Sequence, residues 1–160
     1  MFAVIIAAAL AVSPESLVRP PLDGFIVGNE QSAGPMSLKE EVPAGETVQQ
    51  WTRMVTTQRL GGLAGRLSAS DFLERLAAMA TGSCPGATAG TVTETGGAAT
   101  VRLDCPRNPT TGLPETFIAK AMMGASDLYI VQIAWRRVPT SQDIGWSETY
   151  LGKVSLKPAN

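Results

Sequence analysis

Four β-rich runs follow one another through the second half of the chain, and they constrain its fold more than any other feature. They cover 89–94, 98–105, 115–123 and 127–137 and draw heavily on Val, Ile, Thr, Phe, Tyr and Trp. The breaks between them, Gly96-Gly97, 106–112 and Gly124-Ala125, suit hairpin turns or short loops. Strands joined this closely pair as antiparallel neighbours, because a parallel crossover needs a dozen or more residues.

The first half adds strands and helices to that set. Phe25-Ile26-Val27 and 36–42 read as a strand pair around the turn Gln31-Ser32-Ala33-Gly34-Pro35. Met36, Leu38 and Val42 share one face at period two, with Glu40 polar between them, and Pro43 stops the strand. Gly45-Glu46-Thr47 leads into a predicted short helix carrying Val48, Trp51 and Thr52, and 54–60 reads as a further strand. The clearest helix covers 69–80. Ser68 and Asp71 are spaced as a capping box, Phe72, Leu73, Leu76 and Met79 form the apolar face, and Thr81-Gly82 marks the end. A second amphipathic segment, 140–151, turns Trp146, Tyr150 and Leu151 inward despite Gly145, and 154–156 suits a last strand. The expected fold is therefore α+β, an antiparallel sheet of about six or seven strands with helices packed on it. It forms a single domain over 25–160, after an extended lead-in over 14–24 that holds Pro14, Pro20 and Pro21.

Ahead of the lead-in lies the apolar run from Phe2 to Val12. It is long enough for a secretory h-region and short of the roughly 20 residues a membrane-spanning helix needs. Ala9, Ala11 and Ser13 are small residues placed for cleavage, so 1–13 is expected to be a signal peptide and the product periplasmic or secreted. The alternative is a buried first strand or helix of the domain. No other stretch is apolar enough to hold the cleaved protein in a bilayer. The two cysteines, Cys84 and Cys105, fit an oxidising compartment. As a structural disulfide they would tie the end of a helix to the end of a strand, worth roughly 3 kcal/mol. A redox pair is the rival reading, although no C-x-x-C spacing is present.

Several blocks of the chain resemble a motif of small, uncharacterised bacterial envelope proteins, themselves similar to the PsbP/DcrB-like superfamily. They are 42–58, Cys84-Pro85-Gly86, Cys105-Pro106-Arg107-Asn108-Pro109, Tyr129-Ile130-Val131-Gln132, and Trp146 in the last helix. The resemblance implies an α/β/α sandwich, with the sheet packed between helices. It also implies a non-catalytic role, since members of that wider fold serve as accessory subunits, envelope lipoproteins and effector chaperones. The chain departs from the lipoproteins in having no lipid-acceptor cysteine behind its leader.

The chemistry-bearing residues are sparse. There is no histidine, which rules out Ser-His-Asp and Cys-His nucleophile activation and histidine-ligated metals. No metal or cofactor is expected. The 13 basic and 14 acidic residues are scattered, so the basic stripe of a nucleic-acid-binding surface is missing. Glu40 and Glu41 point to opposite faces of a strand. Gly61-Gly62-Leu63-Ala64-Gly65 lacks both the Gly-Lys-Ser/Thr ending and the G-x-G-x-x-G spacing of a phosphate loop, and reads as a plain loop. Arg136 and Arg137 close a strand on opposite faces and are weak anion candidates. Trp51 is either a core plug or a ligand platform. Thr57, Gln58 and Gln132 either form a buried polar network or line a pocket.

Three functions follow from this inventory. The first is a non-enzymatic exported envelope protein that binds another protein or a hydrophobic segment. It calls for an exposed apolar patch with a polar rim. The second is a small-molecule carrier or sensor with Trp51, Thr57, Gln58 and Gln132 around a cavity of several hundred Å³. The third, if the leader is retained, is an intracellular protein resembling the effector chaperones. An enzyme working through carboxylates, Arg or Lys would need titratable groups converging in a cleft, and no spacing here predicts one.

Overall fold

The computed structural model describes residues 15–158. The expected signal peptide, 1–13, and Pro14 lie outside them. The elements are strands β1 (Glu15–Val18), β2 (Phe25–Ala33), β3 (Met36–Pro43) and β4 (Arg53–Leu60), helix α1 (Ala69–Ser83), strands β5 (Thr88–Ala89), β6 (Thr93–Thr95), β7 (Ala98–Cys105), β8 (Glu115–Met123) and β9 (Leu128–Trp135), helix α2 (Ser141–Gly152), and strand β10 (Ser155–Pro158).

Eight strands form one antiparallel sheet in the order β2-β3-β4-β9-β8-β7-β5, with β6 also paired to β7. Two meanders, β2-β3-β4 and β7-β8-β9, meet along β4 and β9, which pair in register from Arg53 opposite Trp135 to Leu60 opposite Leu128. β1 and β10 form a separate two-stranded antiparallel sheet. The main sheet is wider than the six or seven strands expected. The run 89–94 breaks into β5 and β6, each pairing a different end of β7; the lead-in contributes β1 to the separate small sheet.

Strand periodicity sorts the sheet into two faces. On one, Met54, Leu128, Ile130 and Ala134 pack with Leu73 and Ala77 of α1. On the other, Val55, Tyr129, Val131, Ile133 and Trp135 pack with Tyr150 and Leu151 of α2, and with Leu17 and Leu156 of the small sheet. The result is an α+β fold with a helix on each side of the sheet.

Both helices start on reciprocal caps. Ser68 with Asp71, and Thr140 with Asp143, each exchange side-chain and backbone hydrogen bonds. α1 runs past the expected stop at Gly82. The Thr81 hydroxyl bonds back to the Ala77 carbonyl, and the helix closes only at Cys84, whose amide donates to Ala80. Its buried stripe is Ala69, Leu73 and Ala77, an i, i+4, i+8 set. Met79 lies a third of a turn off that line and is exposed instead of inward-facing.

The expected short helix at 48–52 does not form. Thr47 and Gln50 bond to each other's backbone, and both Glu46 carboxylate oxygens take donors from Thr52, which closes a tight loop. That loop lies on the sheet at a β-bulge in β2. A Cβ on Gly28 would sit 2.8 Å from Val48 Cγ1, so only glycine allows the approach.

Candidate functional site

β2, β3 and β4 carry a band of surface on the α1 face that the helix leaves uncovered, because α1 lies over β5, β7 and β8. Register places Glu40 opposite Thr56, and Thr56 opposite Gln132, in one row across β3, β4 and β9. The next row holds Leu38, Gln58 and Ile130, and the third Met36, Leu60 and Leu128. Met36 is 53% exposed and Ile26, on the edge strand, 45%. Leu38 and Leu60 are half-buried. Glu40 accepts a 2.7 Å hydrogen bond from Asn29, whereas Thr56, Gln58 and Gln132 bond to no side chain or loop backbone among the described residues. Their polar groups are available at the centre of the sheet.

This geometry separates the four residues singled out in the sequence. Gln58 and Gln132 share the α1 face. Trp51 is at the end of that face, but only 8% of it is exposed. It packs in the α1-side core, and the Arg136 guanidinium lies 4.1 Å from its ring centroid. Thr57 turns to the opposite face, where its hydroxyl is buried without a hydrogen-bond partner. The four therefore do not gather around one cavity. Thr56, which the sequence places on the same strand as Thr57 and Gln58 but not among the candidates, belongs to this surface. Period two from Gln58 was the signal that could have found it.

The remaining candidates are held by structural partners. Cys84 and Cys105 form a disulfide with Cα atoms 6.0 Å apart, which ties the end of α1 to the end of β7. Arg136 donates to the Gln49 carbonyl and Arg137 to both oxygens of Asp143. Glu41, opposite in direction to Glu40, pairs with Arg19 at 2.6 Å. The Gly61–Gly65 stretch is a turn whose Gly62 amide donates to Asp127.

A groove of about 510 Å³ opens on the other face between β6, β7, β8 and α2. Its two cations are already engaged. Arg102 pairs with Asp104 at 2.8 Å, and Lys120 donates to the Leu151 and Val154 carbonyls at 2.9 and 2.8 Å. Burial draws the Lys120 pKa below its ordinary value, and those carbonyls, at the negative end of α2, offset part of that cost. Among the described residues, no three Asp, Glu, Cys or His side chains are placed to hold a metal ion, and no helix is long and apolar enough to cross a membrane.

No protein-family model matches the chain, and no curated protein sequence matches it. Two solved structures are similar to it at a distance. One is a single-residue mutant of the protein Mog1, with 10% sequence identity and a TM-score of 0.49. The other is the 1.9 Å crystal structure of the Saccharomyces cerevisiae Ran-binding protein Mog1p, with 9% identity and the same TM-score. Each comparison covers 84% of this chain and 78% of that chain. Likeness at this level assigns neither a family nor a function.

Proposed function

We propose that the chain is a non-enzymatic exported protein of the bacterial envelope that binds another protein, or a hydrophobic segment of one, across the uncovered β2–β4 part of the α1 face. The observation that carries this reading is the apolar group of Met36, Leu38 and Leu60 at one end of β3 and β4, beside the unengaged Thr56, Gln58 and Gln132, with Ile26 exposed at the other end of β3 opposite Val42. An apolar patch with a polar border is what a protein-binding surface requires. Export is supported by the leader sequence and by the disulfide, which persists in oxidising compartments. The helix-sheet-helix layering agrees with the PsbP/DcrB-like resemblance, which belongs to the same proposal. A small-molecule carrier would need lining residues other than Trp51, Thr57, Gln58 and Gln132.

The test is photo-crosslinking of the full chain in a Gram-negative host, with the reactive side chain at position 36 or at position 79. Met79 is the more exposed of the two but lies on the far side of α1. The expected product is periplasmic, trimmed near Ala11 to Ser13, free of alkylatable thiols, and cross-linked to protein from position 36 alone. Equal adducts from both positions would overturn the assigned face. An untrimmed product with two free thiols would overturn export and favour the intracellular, chaperone-like reading.

A further inference from the structure

The α2 face carries a cation that rests on aromatic rings and has no hydrogen-bond or ion-pair partner among the described residues. Arg53 opens β4, and its guanidinium carbon lies 4.8 Å from the Phe25 ring centroid and 4.5 Å from that of Trp146. Trp146 is itself stacked on Tyr150 at 5.4 Å. The guanidinium is thus held over the faces of two rings. Its N–H donors lie in its plane, and none of them meets a hydrogen-bond acceptor or an ion-pair partner among the described residues.

Two carboxylates act on Arg53 from nearby, those of Asp143 and Glu46. Both are committed elsewhere. Asp143 receives both Arg137 nitrogens and the amide and hydroxyl of Thr140. Glu46 receives the amide and hydroxyl of Thr52. These bonds hold both carboxylates in place, and neither makes a hydrogen bond or ion pair with Arg53. Burial lowers the Arg53 pKa from its ordinary value, with Asp143 opposing and Arg137 adding to the effect. An anchored, partly desolvated guanidinium with its fork unoccupied is half of a bidentate pair.

We propose that Arg53 is the anchor of a binding site for a carboxylate group, held against Phe25 and Trp146. A monoanion fits this position better than a dianionic phosphate, because Asp143 and Glu46 repel each added negative charge while Arg137 is already paired. The planar carboxylate also matches the in-plane donors of the guanidinium fork. Its source is either a small free carboxylate or the carboxylate of a peptide. The site stands apart from the protein-binding reading above, since Arg53 faces the α2 layer and Met36 the α1 side, so either can fail alone.

The experiment is an NMR titration of the full chain, following the Arg53 Nε–H and Trp146 Nε1–H resonances at fixed ionic strength. The probes are sodium formate, N-acetyl-trialanine with a free C-terminus, the same peptide amidated, inorganic phosphate and sodium chloride. A saturable shift of both resonances with formate or with the free peptide, and with no other probe, upholds the site. Tighter binding of the free peptide identifies a peptide carboxylate, and equal or tighter binding of formate a small free one. The Arg53→Lys variant keeps the charge but not the fork, and its Trp146 resonance should lose the response. Saturation by phosphate or by the amidated peptide overturns the proposal. So does the absence of saturation with every probe, or an unchanged Trp146 response in Arg53→Lys.

Discussion

Asp143 closes the N-terminal cap of α2 with Thr140 and at the same time holds Arg137 through both of its oxygens. The Arg137 hydrogen bonds are the largest cause that keeps its carboxyl far below the ordinary carboxylate pKa; burial opposes them, and the hydrogen bonds from Thr140 add to the depression. A carboxylate depressed in the folded state stabilises the fold above its unfolded pKa of about 3.9, and that contribution fades as pH falls through and below this value. Asp143→Asn keeps the shape but loses the charge, so about 1 kcal/mol of stability should be lost at pH 7, mostly from the cap. Half of the Arg137 side chain is in water, so the ion pair adds little. Urea melts of both proteins check this: the gap present at pH 7 should narrow at pH 3, and a gap that widens on acidification would reverse the sign argued here. The same scale shows what one residue of register does. Thr56 and Thr57 are chemically identical neighbours, yet one joins the open surface and the other turns to the opposite face, where its hydroxyl is buried.

Elements whose ends carry their own chemistry were legible in the sequence. Ser68 with Asp71 gave the start of α1, and glycine-rich breaks gave the limits of β7 and β8. The loop at 47–52 was not legible, because its helical spacing of Val48, Trp51 and Thr52 competes with Glu46 side-chain bonds that only the folded turn reveals. The candidate surface was half legible. Gln58 and Gln132 could be placed on central strands, but which face stays open depends on where α1 lands, and that is set by distant packing. The disulfide fixes that landing at one end. It closes a loop across a sequence separation of 21 residues, and its loss should cost roughly 3 kcal/mol in the chain-entropy account. Replacing both cysteines with alanine, and comparing urea midpoints with those of the oxidised protein, measures this cost. Because α1 also packs through Leu73 and Ala77, the variant should still fold with its helix content intact.

At the scale of the molecule, the chain's described ends meet. β1 pairs with β10 from Glu15 opposite Pro158 to Val18 opposite Ser155, and this small sheet seals the α2 side of the core through Leu17 and Leu156. Glu15 also accepts from the Ala125 amide in the β8–β9 hairpin, so the first described residue touches the far end of the main sheet. The sequence suggests the last strand at 154–156 but shows only an extended, proline-marked lead-in for β1, because a four-residue strand whose partner is the last strand of the chain leaves no local pattern. This arrangement sets a sharp boundary for trimming. A chain starting at Glu15 keeps the whole clasp, and its stability should stay within about 0.5 kcal/mol of the full-length protein. One starting at Arg19 loses the β1 ladder and the burial of Leu17, a loss on the order of 2–3 kcal/mol. Thermal and urea unfolding of the two truncations would show a step between positions 15 and 19. Equal stability of the two would mean that β1 and β10 contribute nothing to the fold, and that the clasp is only a resting place for the ends.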